Sequence, residues 1–440
     1  MGPPGDPADQ RENLNYLMQG VTTVATGNDG SSPWPIADRL AQWRKNGVGT
    51  NVALYVGFGS VRQRVLGSAD RAPTATELAQ EEALVAQGMR EGAIGISTGL
   101  FYVPQSFSQT PEVVALAKVA AGYGGIYDTH LRDESSYTVG LKAAVAEAIE
   151  IGRQAQLPIM ISHIKCLGAD VWGEAPAIVQ MIDRARAQGL NVVANQYPYR
   201  ASLTSLEAAV IPNWAEAGGR KQFLARIQSP ATHQRLLREI PALIAKRGGP
   251  GTLVLVHYTA DPSLEGKSLA GLAAQWHLSP AAAALRICAK GSTGVVSHNM
   301  QEADLETFMR QDWVATASDG ESARPGTFTH PRSFGTFAVK LQRYVAAQRT
   351  LTLAFAVRAA TSLPAAIAGF DHRGLVAPGY YADLVVFDLA QVASPATYGH
   401  PGQYARGFVD VVVNGQFAVR DGQPTHRLAG KVLLGPGAGH

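Results

Sequence analysis

The chain has 440 residues, of which 46% are hydrophobic and 17% charged, a composition typical of a globular protein with a substantial core. Its net charge of +3 comes from bases and acids scattered along the chain, which argues against binding to nucleic acid or to a membrane surface. Two cysteines, Cys166 and Cys288, cannot form a disulfide framework, and no apolar stretch is long enough to span a membrane.

Apolar runs rich in β-branched residues and bounded by Gly, Asn, Asp or Pro predict buried strands. They cover residues 21–26, 51–57, 93–98, 125–130, 158–163, 191–197 and 313–319. Helical patterns such as "TATELAQEEALVAQGMREG" separate them. This alternation predicts an α/β fold with a parallel sheet. Seven such units favour a (β/α)8 barrel of the TIM type that lacks one strand over a doubly wound sheet.

Two other parts of the chain differ from this pattern. Residues 200–312 contain the additional runs "TLVLVHY" and "TGVVSHN", which predict an insertion with strands of its own. Short alternating strands near the C-terminus, with an Asn-Gly turn at 414–415, predict hairpins. We therefore expect a barrel over 1–371, interrupted at about 200–312, and a small β domain over 372–440.

Polar residues end several of the predicted barrel strands. His130 in "YDTHLRDE", His163 in "MISHIKCLG" and Asp319 in "WVATASDGES" each follow an apolar run, and Asp29 in "TGNDG" follows the first run. The C-terminal ends of the strands form one open face of a parallel barrel, so we expect these side chains to meet there. The polar atoms of His130, His163 and Asp319 should lie within roughly 3–5 Å of one another if these three residues share one ion, and Asp29 is a fourth candidate ligand.

Two imidazoles and a carboxylate, with room for a water molecule, are typical of a catalytic zinc site. Zinc acidifies a water molecule and polarises a carbonyl group, and a nearby carboxylate can transfer the proton. Nitrogen and oxygen ligands favour zinc over copper, and manganese or iron would also fit. His257 and His298 also end apolar runs, but they lie in the predicted insertion. The histidines expected on the surface are His372, His400, His426 and His440.

These residues resemble the N-acyl-D-amino-acid deacylases of the amidohydrolase superfamily. The resemblance runs along nearly the whole chain and is carried by "QGVTTVATGNDG", "GISTGLFYVP", "YDTHLRDE", "ISHIKCLG", "YPYRAS", "ASDGES", "HPRSFGTF" and "GLVAPGYYADLVVFD". It implies a zinc-dependent hydrolase that removes the N-acyl group from small N-acyl-D-amino acids.

The resemblance also implies roles for individual residues. His130, His163 and Asp319 would be metal ligands on the fifth, sixth and eighth strands, and Asp319 would also be the catalytic proton carrier. Asp29 stands where the best-known deacylases carry a cysteine ligand, and a carboxylate can also bind zinc. Lys165 would pair with the α-carboxylate of the substrate, and Tyr197 and Tyr102 would contact the substrate.

One part of the family pattern is absent from the sequence. The resemblance implies a half β-sandwich and a first barrel strand ending in a His-x-His pair upstream of "QGVTT", yet residues 1–15 contain no histidine. A start set too late, a truncation and a degenerate member each explain this, and the intact downstream motifs favour the first. The C-terminal strands would then be a β-sandwich remnant. We expect the chain as written to be poorly soluble or inactive, because unpaired strand edges would be exposed.

The N-terminal residues have no charged and apolar regions of a signal peptide, which favours a cytoplasmic location, although an export signal could lie in the missing segment. Two alternative functions stay open. A hydantoinase-like or dihydroorotase-like cyclic-amide hydrolase would use a carboxylated lysine on the fourth strand, and "AIGISTG" has none. An inactive barrel would follow from the absent His-x-His pair.

Overall fold

The computed structural model describes residues 8–439 and shows an α/β fold built on parallel strands. Each run predicted to be a barrel strand forms a strand, because its β-branched residues fill a sheet that is buried on both faces. The parallel strands are β1 (Thr23–Thr26), β2 (Asn51–Leu54), β3 (Val56–Gly57), β4 (Gly95–Gly99), β5 (Ile126–His130), β6 (Ile159–Ile161), β7 (Val192–Gln196) and β11 (Val314–Thr316).

These strands pair in nearly the order in which they occur along the chain. One sheet has the order β11-β7-β6-β5-β4-β3, and β1 pairs with β2, which continues into β3 after one residue. The register places Gly99 of β4 opposite His130 of β5, so the carboxyl ends of neighbouring strands lie side by side. Within residues 8–439, no strand pairing joins β11 to β1. The parallel strands therefore do not close into a hydrogen-bonded barrel.

Side-chain hydrogen bonds connect the segment before β1 to the segment after β11. Asn15 donates from Nδ2 to the carbonyls of Glu321 and Ser333, at 2.9 and 2.7 Å. The hydroxyl of Tyr16 lies 2.9 Å from that of Ser318, and both side chains are buried. These side-chain contacts join two segments between which the described residues form no strand pairing.

Helices connect and cover the strands. Helix α5 begins with a capping box, in which Thr74 and Glu77 bind each other's backbone N–H groups. The helices are α1 (Ala8–Arg11), α2 (Leu14–Leu17), α3 (Ile36–Asn46), α4 (Phe58–Val65), α5 (Ala75–Arg90), α6 (Thr110–Gly122), α7 (Leu141–Ala155), α8 (Ala175–Ala187), α9 (Leu206–Val210), α10 (Asn213–Glu216), α11 (Arg220–Gln228), α12 (Pro230–Lys246), α13 (Leu269–Gln275), α14 (Pro280–Lys290), α15 (Glu302–Met309), α16 (Arg332–Val339), which continues as a π-helix (Lys340–Ala347), α17 (Leu353–Ala360) and α18 (Ser362–Ala368).

The segment between β7 and β11 has its own sheet and its own core. Its strands are β8 (Ala201–Ser205), β9 (Leu253–Val256) and β10 (Gly294–His298), which pair antiparallel in the order β8-β10-β9. Helices α9 and α13 contact this sheet directly, and residues such as Leu236, Leu255 and Leu285 form a core separate from that of the parallel strands. We call residues 200–312 the insertion.

The C-terminal region is a single antiparallel sheet in the order β12-β13-β14-β15. Its strands are β12 (Leu384–Phe387), β13 (Phe408–Val413), β14 (Gln416–Arg420) and β15 (Gln423–Pro424). Asn414 and Gly415 form the predicted turn between β13 and β14, with φ of 50° and 81°. The chain then returns to the parallel strands, where Val432 pairs with Val52 of β2.

Both cysteines are free and buried. Among residues 8–439, no helix has the length and apolar character needed to cross a lipid bilayer.

Candidate metal centre and substrate pocket

The four predicted ligands lie at or just beyond the carboxyl ends of parallel strands. His130 is the last residue of β5, and His163, Asp319 and Asp29 follow β6, β11 and β1 within three residues. Asp29, His163 and Asp319 have positive φ angles of 56°, 38° and 47°. Left-handed backbone is uncommon for residues other than glycine, although Asp and His adopt it more often than most, and it occurs at turns. Here each of these residues lies where the chain leaves a parallel strand and enters the loop that lines the pocket.

Three of these side chains converge. Nδ1 of His130 lies 2.9 Å from Nε2 of His163, which lies 3.3 Å from Oδ1 of Asp29. One donor atom from each of the three residues lies within 4.8 Å of the others, a spacing at which the three residues could hold one metal ion. Two imidazole nitrogens and a carboxylate oxygen are a suitable donor set for zinc.

Asp319 lines the same pocket but is not one of the converging donors among residues 8–439. Its carboxylate lies 2.7 Å from Nη1 of Arg332, the first residue of α16. The role of Asp319 as a ligand and proton carrier therefore stays a prediction.

Glu134 is a site residue that the sequence analysis did not single out. Its Oε1 atom lies 3.0 Å from Nδ1 of His163 and 2.5 Å from Nζ of Lys165. A carboxylate that holds the distal nitrogen of a histidine is the usual outer partner of a metal ligand. The signal was present in "YDTHLRDE", where Glu134 follows His130 by four residues.

The two histidines have opposite protonation preferences in this environment. Burial, together with the charge on His163, lowers the pKa of His130 to about 4. Burial also lowers the pKa of His163, but Asp319, Glu134 and the hydrogen bond with Asp29 outweigh it and raise that pKa to about 10. Burial raises the pKa of Asp29, yet the two histidines hold it below its ordinary value. The opposite shifts follow from the surroundings of the two rings, since His163 lies beside the carboxylates of Asp29 and Glu134 and burial dominates at His130.

The predicted substrate-binding residues surround this cluster. Lys165 is buried, lines the pocket and lies 5.8 Å from the centre of the Tyr197 ring. The hydroxyl of Tyr197 is buried and has no hydrogen-bond partner, so it is available to a ligand. The Tyr102 ring lies 4.7 Å from the His130 ring, and its hydroxyl accepts a hydrogen bond from Thr204.

Arg332 is a second cation in this pocket that the sequence analysis did not single out, although "HPRSFGTF" contains it. Its guanidinium lies 4.7 Å from the centre of the Tyr197 ring. His330 holds the turn before it, accepting the backbone N–H of Arg332 at Nδ1 and donating from Nε2 to the carbonyl of Ala201. These two contacts fix the neutral imidazole in one tautomer and orient α16 towards the pocket.

The remaining histidines lie outside the converging group. His257 forms an ion pair with Glu321 at 2.6 Å, and His298 is exposed and packs on Tyr398. His372, His400 and His426 are exposed. His440 lies outside the described residues.

The pocket has a volume of about 250 Å³. It is lined by Asp29, Phe101, Tyr102, His130, Glu134, Tyr137, His163, Lys165, Leu167, Tyr197, Ser202, Leu203, Thr204, Arg247, Asp319, Gly320, Glu321 and Arg332. Most of these residues come from loops that follow the parallel strands, and a few come from the insertion.

Comparison with known proteins identifies the family of the chain. The model of the Amidohydrolase family matches residues 50–419. The chain is 31% identical over 439 residues to the N-acyl-D-glutamate deacylase of Alcaligenes xylosoxydans xylosoxydans, covering 94% of this chain and 80% of that protein. It is also 31% identical over 449 residues to the D-aminoacylase of the same organism, covering 96% and 83%.

A solved structure shows the same likeness in three dimensions. The N-acyl-D-glutamate deacylase of Bordetella bronchiseptica, solved with zinc and a phosphonate inhibitor that mimics the tetrahedral intermediate, has a TM-score of 0.79 at 30% identity. The match covers 96% of this chain and 85% of that structure. The chain therefore belongs to the amidohydrolase family, in its N-acyl-D-amino-acid deacylase branch.

Proposed function

We propose that the protein is a zinc-dependent hydrolase that removes the N-acyl group from N-acyl-D-amino acids. The observation that carries the proposal is the convergence of Asp29, His130 and His163 at the wall of a pocket that contains cationic side chains. The deacylases that the chain resembles, one of them solved with zinc, support it.

The residues present suit zinc. His130, His163 and Asp29 would hold the ion, and Glu134 would fix the ring of His163 through Nδ1. When bound, zinc acidifies a water molecule and polarises the scissile carbonyl. The placement of Asp29 and Glu134 close to His163 provides the negative charge that a divalent cation requires.

Asp319 is our candidate for the group that moves the proton. It would accept the proton released as water adds to the amide carbonyl, and donate it to the nitrogen as the C–N bond breaks. The products are a carboxylic acid and a free D-amino acid. Arg332, at 2.7 Å, would hold the Asp319 carboxylate in the pocket during both transfers.

Two cations are candidates to bind the α-carboxylate. Lys165 is buried, and a substrate carboxylate beside it would offset part of the free-energy cost of desolvating its charge. Glu134, however, already pairs with it. Arg332 is buried too, and its Nε atom has no hydrogen-bond partner. We propose that both cations face the carboxylate, with Tyr197 between them, and that Tyr102 packs against the acyl end of the substrate.

We further propose that the parallel strands belong to a (β/α)8-type barrel, because their order and direction follow that pattern. An eighth strand would fit between β11 and β1. The site lies at the carboxyl ends of the strands, which is where such barrels place their catalytic groups.

The test is to load the purified protein with zinc and compare the hydrolysis of N-acetyl-D-leucine with that of N-acetyl-L-leucine. Because Asp29, His130 and His163 already converge, we expect activity, contrary to the expectation from the sequence. Turnover of the D form should fall when zinc is removed by a chelator and return when zinc is restored. Variant His163→Asn should lose both bound zinc, measured by elemental analysis, and turnover. Hydrolysis of 5-substituted hydantoins without any deacylation would overturn the proposal in favour of a cyclic-amide hydrolase.

A further inference from the structure

Arg247 lies at the wall of the pocket on an element that the sequence analysis assigned to the insertion. It is the residue that follows α12, its exposed fraction is 2%, and its Nε atom has no hydrogen-bond partner. Its guanidinium lies 5.3 Å from the centre of the Tyr137 ring and 5.9 Å from that of Phe101. We call Arg247, Phe101 and Tyr137 the distal subsite.

Each acidic side chain that lines the pocket lies beside a lysine, a histidine or an arginine other than Arg247. Glu134 pairs with Lys165, and Asp319 pairs with Arg332. Asp29 and Glu321 pair with His163 and His257, respectively. Among residues 8–439, no carboxylate forms an ion pair with Arg247. A buried guanidinium without a carboxylate is costly unless a ligand supplies the negative charge.

The position of Arg247 is fixed by the contact between α12 and a loop of the parallel sheet. Gly168, which follows β6, approaches the carbonyl of Lys246 so closely that an added Cβ atom would lie 2.6 Å from it. Gly168 also donates its N–H to the carbonyl of Asn299 in the insertion, at 2.7 Å. The carbonyl of Arg247 itself accepts a hydrogen bond from Thr252. The insertion therefore holds this arginine at the pocket wall through close backbone contacts and hydrogen bonds.

The distal subsite lies a short distance from the converging ligands. The Phe101 ring lies 5.8 Å from the His130 ring, and the Arg247 guanidinium lies 5.9 Å from the centre of the Phe101 ring. Arg332 and Tyr197 form a different cluster around Asp319. A substrate carboxylate bound by Arg332 or Lys165 would therefore leave the distal subsite available for a second acidic group.

We infer that Arg247, flanked by Phe101 and Tyr137, binds a second carboxylate of the substrate, so that the preferred substrates are N-acyl-D-amino acids with two acidic groups. The inference rests on the proposed function and deepens it. Arginine suits the task because its planar fork binds a carboxylate through two parallel hydrogen bonds. The second carboxylate can belong to the side chain of an acidic D-amino acid or to a dicarboxylic acyl group.

The first experiment uses the zinc-loaded protein and two pairs of substrates that differ only in charge. N-acetyl-D-glutamate is compared with N-acetyl-D-glutamine, and N-succinyl-D-leucine with N-succinamoyl-D-leucine. We expect the charged member of one pair to have a kcat/KM higher by roughly 10- to 100-fold, the range for a hydrogen-bonded charge. The pair that shows the preference identifies the source of the carboxylate.

The second experiment tests whether Arg247 causes the preference. The preference is the kcat/KM for the charged substrate divided by the kcat/KM for its neutral counterpart. Arg247→Met should reduce this ratio to about one, mainly by raising KM for the charged substrate, and Arg247→Lys should give an intermediate ratio. Arg238→Met removes the same charge from an exposed position on α12 and should leave the ratio unchanged. The ratio is measured within each variant, so a partial loss of folded protein does not alter it.

The outcomes separate the inference from the proposed function. Turnover of the neutral substrates without a preference for either charged member would overturn the role of Arg247 and leave the deacylase function intact. A preference that survives in both Arg247 variants would also overturn it. Failure to hydrolyse any of the four substrates with zinc bound would overturn the proposed function, and the inference with it.

Discussion

Lys165 and Arg332 are two buried cations in one pocket, and their surroundings differ in a way that can be tested. Lys165 already faces Glu134 at 2.5 Å and lies 2.7 Å from Nδ1 of His163. Arg332 pairs with Asp319 and has an Nε atom without a partner. Either residue could therefore bind the α-carboxylate of the substrate, and substitution of each one tests its contribution.

We predict that Lys165→Met and Arg332→Met both raise KM for N-acetyl-D-leucine, by roughly 10-fold or more, because each removes a charged hydrogen-bond donor. KM for N-acetyl-isopentylamine, which lacks the carboxylate, should change far less. Steady-state kinetics on both substrates make the comparison. Equal losses on the two substrates for one of the variants would show that its residue does not bind the carboxylate.

Glu81 on α5 is a buried acid outside the pocket. Its side chain is fully buried, and neither carboxylate oxygen has a hydrogen-bond partner. Burial, and secondarily the charge of Glu112, raise the pKa of Glu81 to about 8. Because the folded pKa lies above the ordinary value, the folded state binds a proton that the unfolded state has lost, and stability falls as pH rises from about 4.5 to about 8.

We therefore predict that Glu81→Gln raises the free energy of unfolding at pH 8.5 by roughly 1–3 kcal/mol, and by much less at pH 5. Denaturant unfolding at the two pH values measures the difference. The neighbouring Glu82 is less buried, so Glu82→Gln should have little effect at either pH. If Glu81→Gln changed the free energy of unfolding equally at both pH values, ionisation of Glu81 would not be the cause of the pH dependence.

At the scale of elements, the segment before β1 has a structural role that its short helix α2 does not suggest. Asn15 is buried and donates to the backbone carbonyls of Glu321 and Ser333, close to the loop that carries Asp319. Gln19 donates to the carbonyl of Ser333 as well. These amides satisfy backbone groups in a region where strand pairing is absent.

We predict that Asn15→Ala lowers the free energy of unfolding by about 1–3 kcal/mol, because the carbonyl of Glu321 loses this donor and the carbonyl of Ser333 keeps only Gln19. Gln80→Ala removes an exposed amide from α5 and should cost no more than about 0.5 kcal/mol. Chemical denaturation of both variants gives the two values. A cost for Asn15→Ala as small as that for Gln80→Ala would mean that water replaces the lost donor.

The insertion shows how an element outside the barrel pattern takes part in the site. Its core is separate from that of the parallel strands, yet Arg247, Ser202 and Thr204 line the pocket. The proposed division of the chain at residues 371 and 372 stays a prediction. The contact between Val432 and Val52 shows that the C-terminal segment also packs on the parallel strands.

At the scale of the whole molecule, the converging ligands join distant parts of the chain, so metal binding should stabilise the entire fold. Asp29, His130 and His163 follow β1, β5 and β6, and none of these positions is close in the unfolded chain. A ligand that binds only the folded state raises its stability by about 2.7 kcal/mol at a free concentration 100 times its Kd.

We predict that zinc raises Tm by several degrees and that a chelator reverses the increase. His163→Asn and His130→Asn should abolish the response, whereas His298→Asn, which replaces an exposed histidine, should retain it. Differential scanning calorimetry with and without zinc provides the measurement. An undiminished response in both ligand variants would place the bound zinc elsewhere.

The sequence by itself determined the α/β pattern and the positions of the strand ends. Each predicted barrel strand forms, and His130 and His163 lie side by side because they end neighbouring parallel strands. Such features are encoded locally: a buried strand needs a run of β-branched residues, and its end is marked by the first polar or flexible residue. The resemblance to a family could be stated for the same reason, since its motifs are short and contiguous.

Only the tertiary structure decided which side chains meet across the pocket. It pairs Asp319 with Arg332 outside the converging donors, and it places Glu134 between His163 and Lys165. It also brings Arg247 from the insertion to the pocket wall. No local periodicity encodes these contacts, because they depend on how loops from separate strands pack together and on which buried charges then find a partner.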